Sequence, residues 1–100
     1  MTYDLEFDRR ALKEWNKLGD TLRQQFKKKL AEMLENPRIE ANRLRHLPDC
    51  YKLKLRNAGY RLIYQVLEQE IVVFVVAIGK REREAAYQDA QERIDRQNTD

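Results

Sequence analysis

Two short stretches hold the side chains whose types and spacing could do chemistry. In CYKLKLRNAGYRLIYQV, residues 50–66, Lys52, Lys54 and Arg56 lie on one side of an alternating strand, and Arg61 follows across a turn. In GKRERE, residues 79–84, Lys80, Arg81 and Arg83 come directly after an apolar run, with Tyr87 four residues beyond Arg83. Like charges at this density repel, so the constellation needs a use. One use is RNA cleavage. RNA carries its own nucleophile, the 2′-OH beside each phosphate. A protein then needs only to help remove that proton, stabilise the phosphorane and assist departure of the 5′ oxygen. Clustered Lys and Arg suit the charge on the phosphate, and Arg can grip two of its oxygens. Crowded cations also pull a lysine pKa down from about 10.4 and stabilise a nearby phenolate.

Positioning those groups requires a hairpin and what flanks it. Tyr51, Leu53 and Leu55 alternate against the cations, and Asn57-Ala58-Gly59 is the expected turn. Pairing Arg56 with Arg61 sets Leu55 opposite Leu62 and Lys54 opposite Ile63, a register that keeps apolar and charged faces apart. Residues 71–78, IVVFVVAI, form an unbroken apolar run of the kind found in a central strand covered on both sides. An antiparallel connection from 60–66 to 71–78 brings Arg81 out near Arg61. Upstream, YDLEFD alternates as a short strand. Asp8 is placed to cap a helix with core face Ala11, Leu12, Trp15 and Leu18, ending at Gly19 as its C′ residue. Asp20 is placed to cap a second helix with stripe Leu22, Phe26, Leu30, Met33 and Leu34, stopped at Asn36-Pro37. Residues 38–49 read as irregular, anchored by Ile39, Leu44 and Leu47. From about Glu82 to Ile94 a weakly amphipathic helix has only Ala86, Ala90 and Ile94 as its apolar line. The fold class is α+β in the order β-α-α-β-β-β-α: a small, mainly antiparallel sheet, a helical pair on one face and a C-terminal helix. Residues 1–95 make one domain, and 96–100 are expected to fray.

The totals agree. One hundred residues suffice for one core. Twenty basic and 17 acidic residues leave a net charge of +3, but from Arg43 to Arg61 Asp49 is the lone acid among the cations, the footprint of a polyanion partner. No apolar run is long enough for a membrane span, and the acidic, alternating N-terminus is not a signal peptide. Cys50 is the single cysteine, which suits a reducing compartment and a cytoplasmic setting. Cys50 and Trp15 read as packing residues. His46 is the one histidine, so a His–His or His–Glu acid/base pair is unavailable, and no metal-ligand spacing or Gly-rich phosphate loop appears. No cofactor or metal is expected. Lys27 to Lys29 face away from the helical stripe as a solvated face, with Lys28 the candidate for RNA contact.

With these residues in view, the chain resembles the RelE toxins of bacterial type II toxin–antitoxin systems. The resemblance runs over residues 1–95, through FDRRALKEWNKLG, ENPRIEANRLR, LPDCYKLKLRNAGYRLIYQV and AIGKREREAAY. It implies a RelE-like, microbial-RNase-like fold and a metal-independent endoribonuclease. Such an enzyme cuts mRNA in the ribosomal A site by 2′-OH attack, leaves a 2′,3′-cyclic phosphate, and so inhibits translation. Lys52, Lys54, Arg61, Arg81 and Tyr87 fall on the family's catalytic positions. Tyr87 resembles the base and stacking platform, with Lys52 as the competing base, and Lys54 and Arg61 the phosphate stabilisers. Arg81 lies beside the leaving oxygen; an arginine rarely yields its proton, so its role is electrostatic. Arg45 matches a position that holds mRNA, and Arg43, Arg56, Arg83 and Lys28 extend the RNA-binding surface. The implied partners are the 70S ribosome with its 16S rRNA, A-site mRNA, and a RelB-like antitoxin that displaces the C-terminal helix. Operator DNA is reached through the antitoxin complex, acting as a repressor. Two other functions fit the same fold or patch: a ParE-like inhibitor of DNA gyrase without nuclease activity, and an inert RNA-binding module.

Overall fold

The computed structural model describes residues 2–55, 57–80 and 85–98. Its elements are β1 (Asp4–Phe7), α1 (Arg9–Lys17), α2 (Asp20–Met33), a 3₁₀ turn at Glu40–Asn42, β2 (Cys50–Leu55), β3 (Tyr60–Leu67), β4 (Val72–Lys80) and α3 (Ala85–Asn98). This is the expected α+β order. The four strands form one sheet in the order β1-β4-β3-β2. β2, β3 and β4 are an antiparallel meander, and β1 joins β4 in parallel, Leu5 beside Val73 and Phe7 beside Val75.

The sheet separates two cores. On one face lie α1 and α2, whose Ala11, Trp15, Phe26, Leu30 and Met33 pack on Tyr51, Leu53, Leu62, Tyr64, Val73 and Val75. Trp15 sits between Phe7 and Phe26, ring centroids 5.5 and 6.1 Å away. Burying rings of this size stabilises by roughly 1.5–3 kcal/mol each. On the other face Ala86, Ala90 and Ile94 of α3 pack on Ile63, Val76 and Ala77, with Leu47 and Cys50 alongside. The weak apolar line of the last helix is thus fully used.

Several local expectations are corrected. Asp8 caps α1, accepting from Arg10 N at 2.8 Å. Gly19, however, has an extended backbone (φ −67°) and is the N-cap of α2 rather than a left-handed C′ residue. Asp20 falls inside the first turn, where it pairs with Arg23, and does not cap. The central strand starts at Val72, because Ile71 turns into the left-handed region at φ 54°. The hairpin register lies two residues from the expected one: Lys54 opposes Arg61, Leu53 opposes Leu62 and Leu55 opposes Tyr60. Ala58 N and Gly59 N both donate to Leu55 O, and Gly59 takes φ 69°, so the turn closes on Leu55–Tyr60. α3 runs through Asn98, into the segment expected to form a tail.

Candidate functional site

The expected cations meet where the hairpin, the 44–47 segment and α3 converge. A cleft of about 350 Å³ is lined by Lys52 of β2, Arg61 of β3, Tyr87 and Gln91 of α3, and Leu44, Arg45, His46 and Leu47. Among the described residues, no carboxylate lines it. Lys52 and Arg61 stand on the α3 face because the alternation of β2 and β3 sends Leu53 and Leu62 to the other face. The 44–47 segment is tied to the sheet by Leu44 N donating to Cys50 O at 2.9 Å and by the buried Leu47. Behind it, Arg38 braces the loop, its Nε 2.5 Å from Glu68 and its Nη1 3.2 Å from both Asp49 and Tyr51 Oη. The hydrogen bonds from Arg38 and then Tyr3 hold the Glu68 carboxyl below the usual carboxylate range.

Arg61 and Tyr87 are in direct contact. Arg61 Nη1 donates to Tyr87 Oη, and the guanidinium carbon lies 5.2 Å from the centre of the Tyr87 ring. Arg61 Nε is buried and finds no hydrogen-bond partner among the described residues. Leaving a donor of this kind unmet costs on the order of 1–3 kcal/mol, more for a charged group. Opposed in register, Lys54 adds a second cation beside Arg61 and accepts at its carbonyl from Lys29 Nζ at 2.8 Å. Cys50 takes no part in this chemistry: it is fully buried, and burial, with Asp49 adding, pushes its thiol up to about 12.

Lys52, Arg61, Tyr87 and Arg45 therefore share the cleft. Arg43 is exposed, pairs with Glu40 at 3.5 Å and lines a neighbouring hollow with Arg45. Lys28 lies away from it, in a groove of about 490 Å³ between α2 and the hairpin tip. Lys80 ends β4 opposite Tyr60, so the chain leaves the sheet beside Arg61, as the antiparallel connection requires. Arg56, Arg81 and Arg83 lie outside the described residues. One lining residue carried no expectation. Gln91 sits four residues after Tyr87 and so shares its helix face, a spacing that was available to find it. His46, the one histidine in a loop rich in arginine, also lines the cleft, and only its neighbours in space show what it borders.

Three comparisons bear on this arrangement. The family described as ParE toxin of type II toxin-antitoxin system, parDE, matches residues 5–85. The chain is 64% identical to the mRNA interferase toxin RelE of Escherichia coli (strain K12) over 94 residues, 94% of this chain and 99% of that protein. Among solved structures, an arginine double mutant of E. coli RelE in the free state superposes with a TM-score of 0.88, at 62% identity over 94% of this chain and 99% of that one. The toxin in the intact E. coli RelBE toxin-antitoxin complex superposes at 0.78, with 67% identity over 81% of this chain and 99% of that one.

Proposed function

Because the chain belongs to the ParE toxin family of type II toxin–antitoxin systems, and within it resembles the RelE mRNA interferases over nearly its whole length, we infer that it cleaves mRNA in the ribosomal A site. The observation that carries the reading is the cleft in which Arg61, over the Tyr87 ring and bonded to its hydroxyl, meets Lys52 and Arg45. The RNA 2′-OH attacks its own 3′ phosphate. Tyr87 takes the proton, with Lys52 of the same cleft as the alternative base. Arg61 and Lys54 neutralise the phosphorane, and Arg81 stabilises the departing 5′ oxygen. The P–O5′ bond breaks, the departing 5′ oxygen takes a proton from water, and the products are a 2′,3′-cyclic phosphate and a 5′-OH. Arg45 holds the flanking nucleotide, and Arg43, Arg56, Arg83 and Lys28 contact RNA around the site, 16S rRNA included. A cleft without a paired general acid and base depends on having its substrate held in line, and the ribosome supplies that positioning. The setting is bacterial cytoplasm.

A RelB-like antitoxin neutralises the toxin by taking the place of α3, and the pair represses its own operator. Support comes from the superposition on the toxin of the RelBE complex. Gyrase inhibition is the weaker alternative, since a poison of that kind has no use for Lys52, Arg61 and Tyr87 in one cleft.

End-mapping of a defined mRNA, presented free and on ribosomes with an empty A site, tests the reading. The expected cut lies within the A-site codon, occurs only on ribosomes and ends in a 2′,3′-cyclic phosphate. Tyr87→Phe is expected to slow it by about 100-fold or more while ribosome binding survives. Folded, antitoxin-free protein that cuts in neither condition would sink the nuclease and return gyrase to first place.

A further inference from the structure

Tyr87 reaches Arg61 only if α3 sits on the sheet with the right roll about its axis, and the apolar row under the helix does little to set that roll. Two of its three contacts are the side chains of Ala86 and Ala90, which fill no deep notch. Rolling the helix by about 20° would carry an atom about 6 Å from the axis through roughly 2 Å, enough to break a hydrogen bond.

Something firmer lies on the opposite flank. Arg93 follows Tyr87 by six residues and projects about 120° away from it around the helix. Only 7% of Arg93 is exposed. Its Nη1 donates to Val76 O at 2.7 Å and to Glu14 Oε1 at 2.9 Å, while Nη2 lies 3.3 Å from Glu14 Oε2 and 3.7 Å from Asp89. Glu14, on α1, also accepts from Ile78 N at 3.2 Å. These partners have a backbone cause. β1 stops pairing at Phe7–Val75, and a bulge in β4 follows opposite Ile63–Tyr64. Beyond that point no strand among the described residues borders this edge of β4, and its buried C=O and N–H need partners. Arg93 satisfies one and Glu14 the other. Burial opposes the Arg93 charge, but the hydrogen bond to Glu14 and the charges of Glu14, Asp89 and Asp8 together leave its pKa raised.

We propose that Glu14 and Arg93 are positioning residues for the cleavage reaction: clamped to the backbone of β4, they fix the roll of α3 and so hold the Tyr87 phenol at Arg61. The kinetic part of this proposal rests on the nuclease reading; the positioning itself does not.

The test uses the full chain with ¹³C-labelled tyrosine rings, the Tyr87 signal being assigned by its loss in Tyr87→Phe. Arg93→Lys keeps the charge without the fork, and Glu14→Gln keeps an acceptor for Ile78 N, so both are expected to fold. Arg96→Met, on the same helix outside the clamp, is the control. In Arg93→Lys and Glu14→Gln the Tyr87 signal moves and its contact with Arg61 weakens; in Arg96→Met neither changes. On ribosomes the two clamp variants lose about tenfold in single-turnover rate, with the half-saturating ribosome concentration unchanged. Placed on a Tyr87→Phe background, they lose less than twofold, because the group they position is gone. Unmoved Tyr87 signals, or losses that multiply in full on that background, overturn the proposal. A parent chain that cuts no ribosome-bound mRNA removes the nuclease reading alone, and the ring signals still decide the positioning.

Discussion

Arg61 lies over a phenol, donates to its oxygen and finds no partner for its buried Nε–H among the described residues; folding by itself would favour a less demanding side chain there. The types of the site residues were legible in the sequence, since a cationic strand face and a following tyrosine are visible as letters. What the letters could not show was contact, which depends on how two elements distant in sequence pack. Ile71 makes the same point from the stability side. As a letter it opens an apolar run; in the fold it sits in a turn at φ 54°, a β-branched residue in the left-handed region, with 37% of its surface exposed. Asparagine tolerates that conformation far better. Ile71→Asn is expected to raise stability by about 1 kcal/mol, read as a higher urea midpoint at unchanged slope. A lowered midpoint would mean that the isoleucine side chain contributes more than its backbone costs.

Among elements, the hairpin shows what patterning can decide. A slip of one residue exchanges the faces of a strand, whereas a slip of two leaves every side chain on its own face. Alternation therefore placed Lys52 and Lys54 on the correct side while leaving the register two residues out. The discriminating signal was the left-handed Gly59, which closes the loop on Leu55–Tyr60. The bulge in β4 was likewise invisible within eight consecutive apolar residues, yet it turns both Val76 and Ala77 toward α3. The close seat of α3 also depends on Gly79, where an added Cβ would stand 3.3 Å from Ala86 Cβ and 3.4 Å from its nitrogen. Gly79→Val is expected to overpack this contact, cost about 1–3 kcal/mol and lift the start of α3 off the sheet. Cleavage by the folded variant should then fall about tenfold or more, whereas Gly79→Ala, needing shifts of only a few tenths of an ångström, should stay near the parent. Equal rates in Gly79→Val and the parent would count against α3 as the carrier of the site.

For the molecule as a whole, a net charge of +3 understates the field that an RNA meets, because acids and bases are distributed unevenly along the chain. That asymmetry was readable from the sequence, and the hairpin concentrates it by opposing Lys54 and Arg61. Association with ribosomes should accordingly depend on salt. With about four phosphate contacts, affinity is expected to drop on the order of 50-fold between about 50 and 200 mM monovalent salt, measured by sedimentation binding. A flat response would remove phosphate neutralisation from the account of binding.

The parallel pairing of β1 with β4 has a consequence in time. β2, β3 and β4 follow one another through tight turns, whereas β1 must find a partner across most of the chain. Closing so large a loop is entropically unfavourable before its contacts form. The meander is thus the natural nucleus of folding and β1 a late arrival, fastened at its outer end by Tyr3 Oη donating to Glu68. When the protein begins to come apart, this first strand should be among the first to leave.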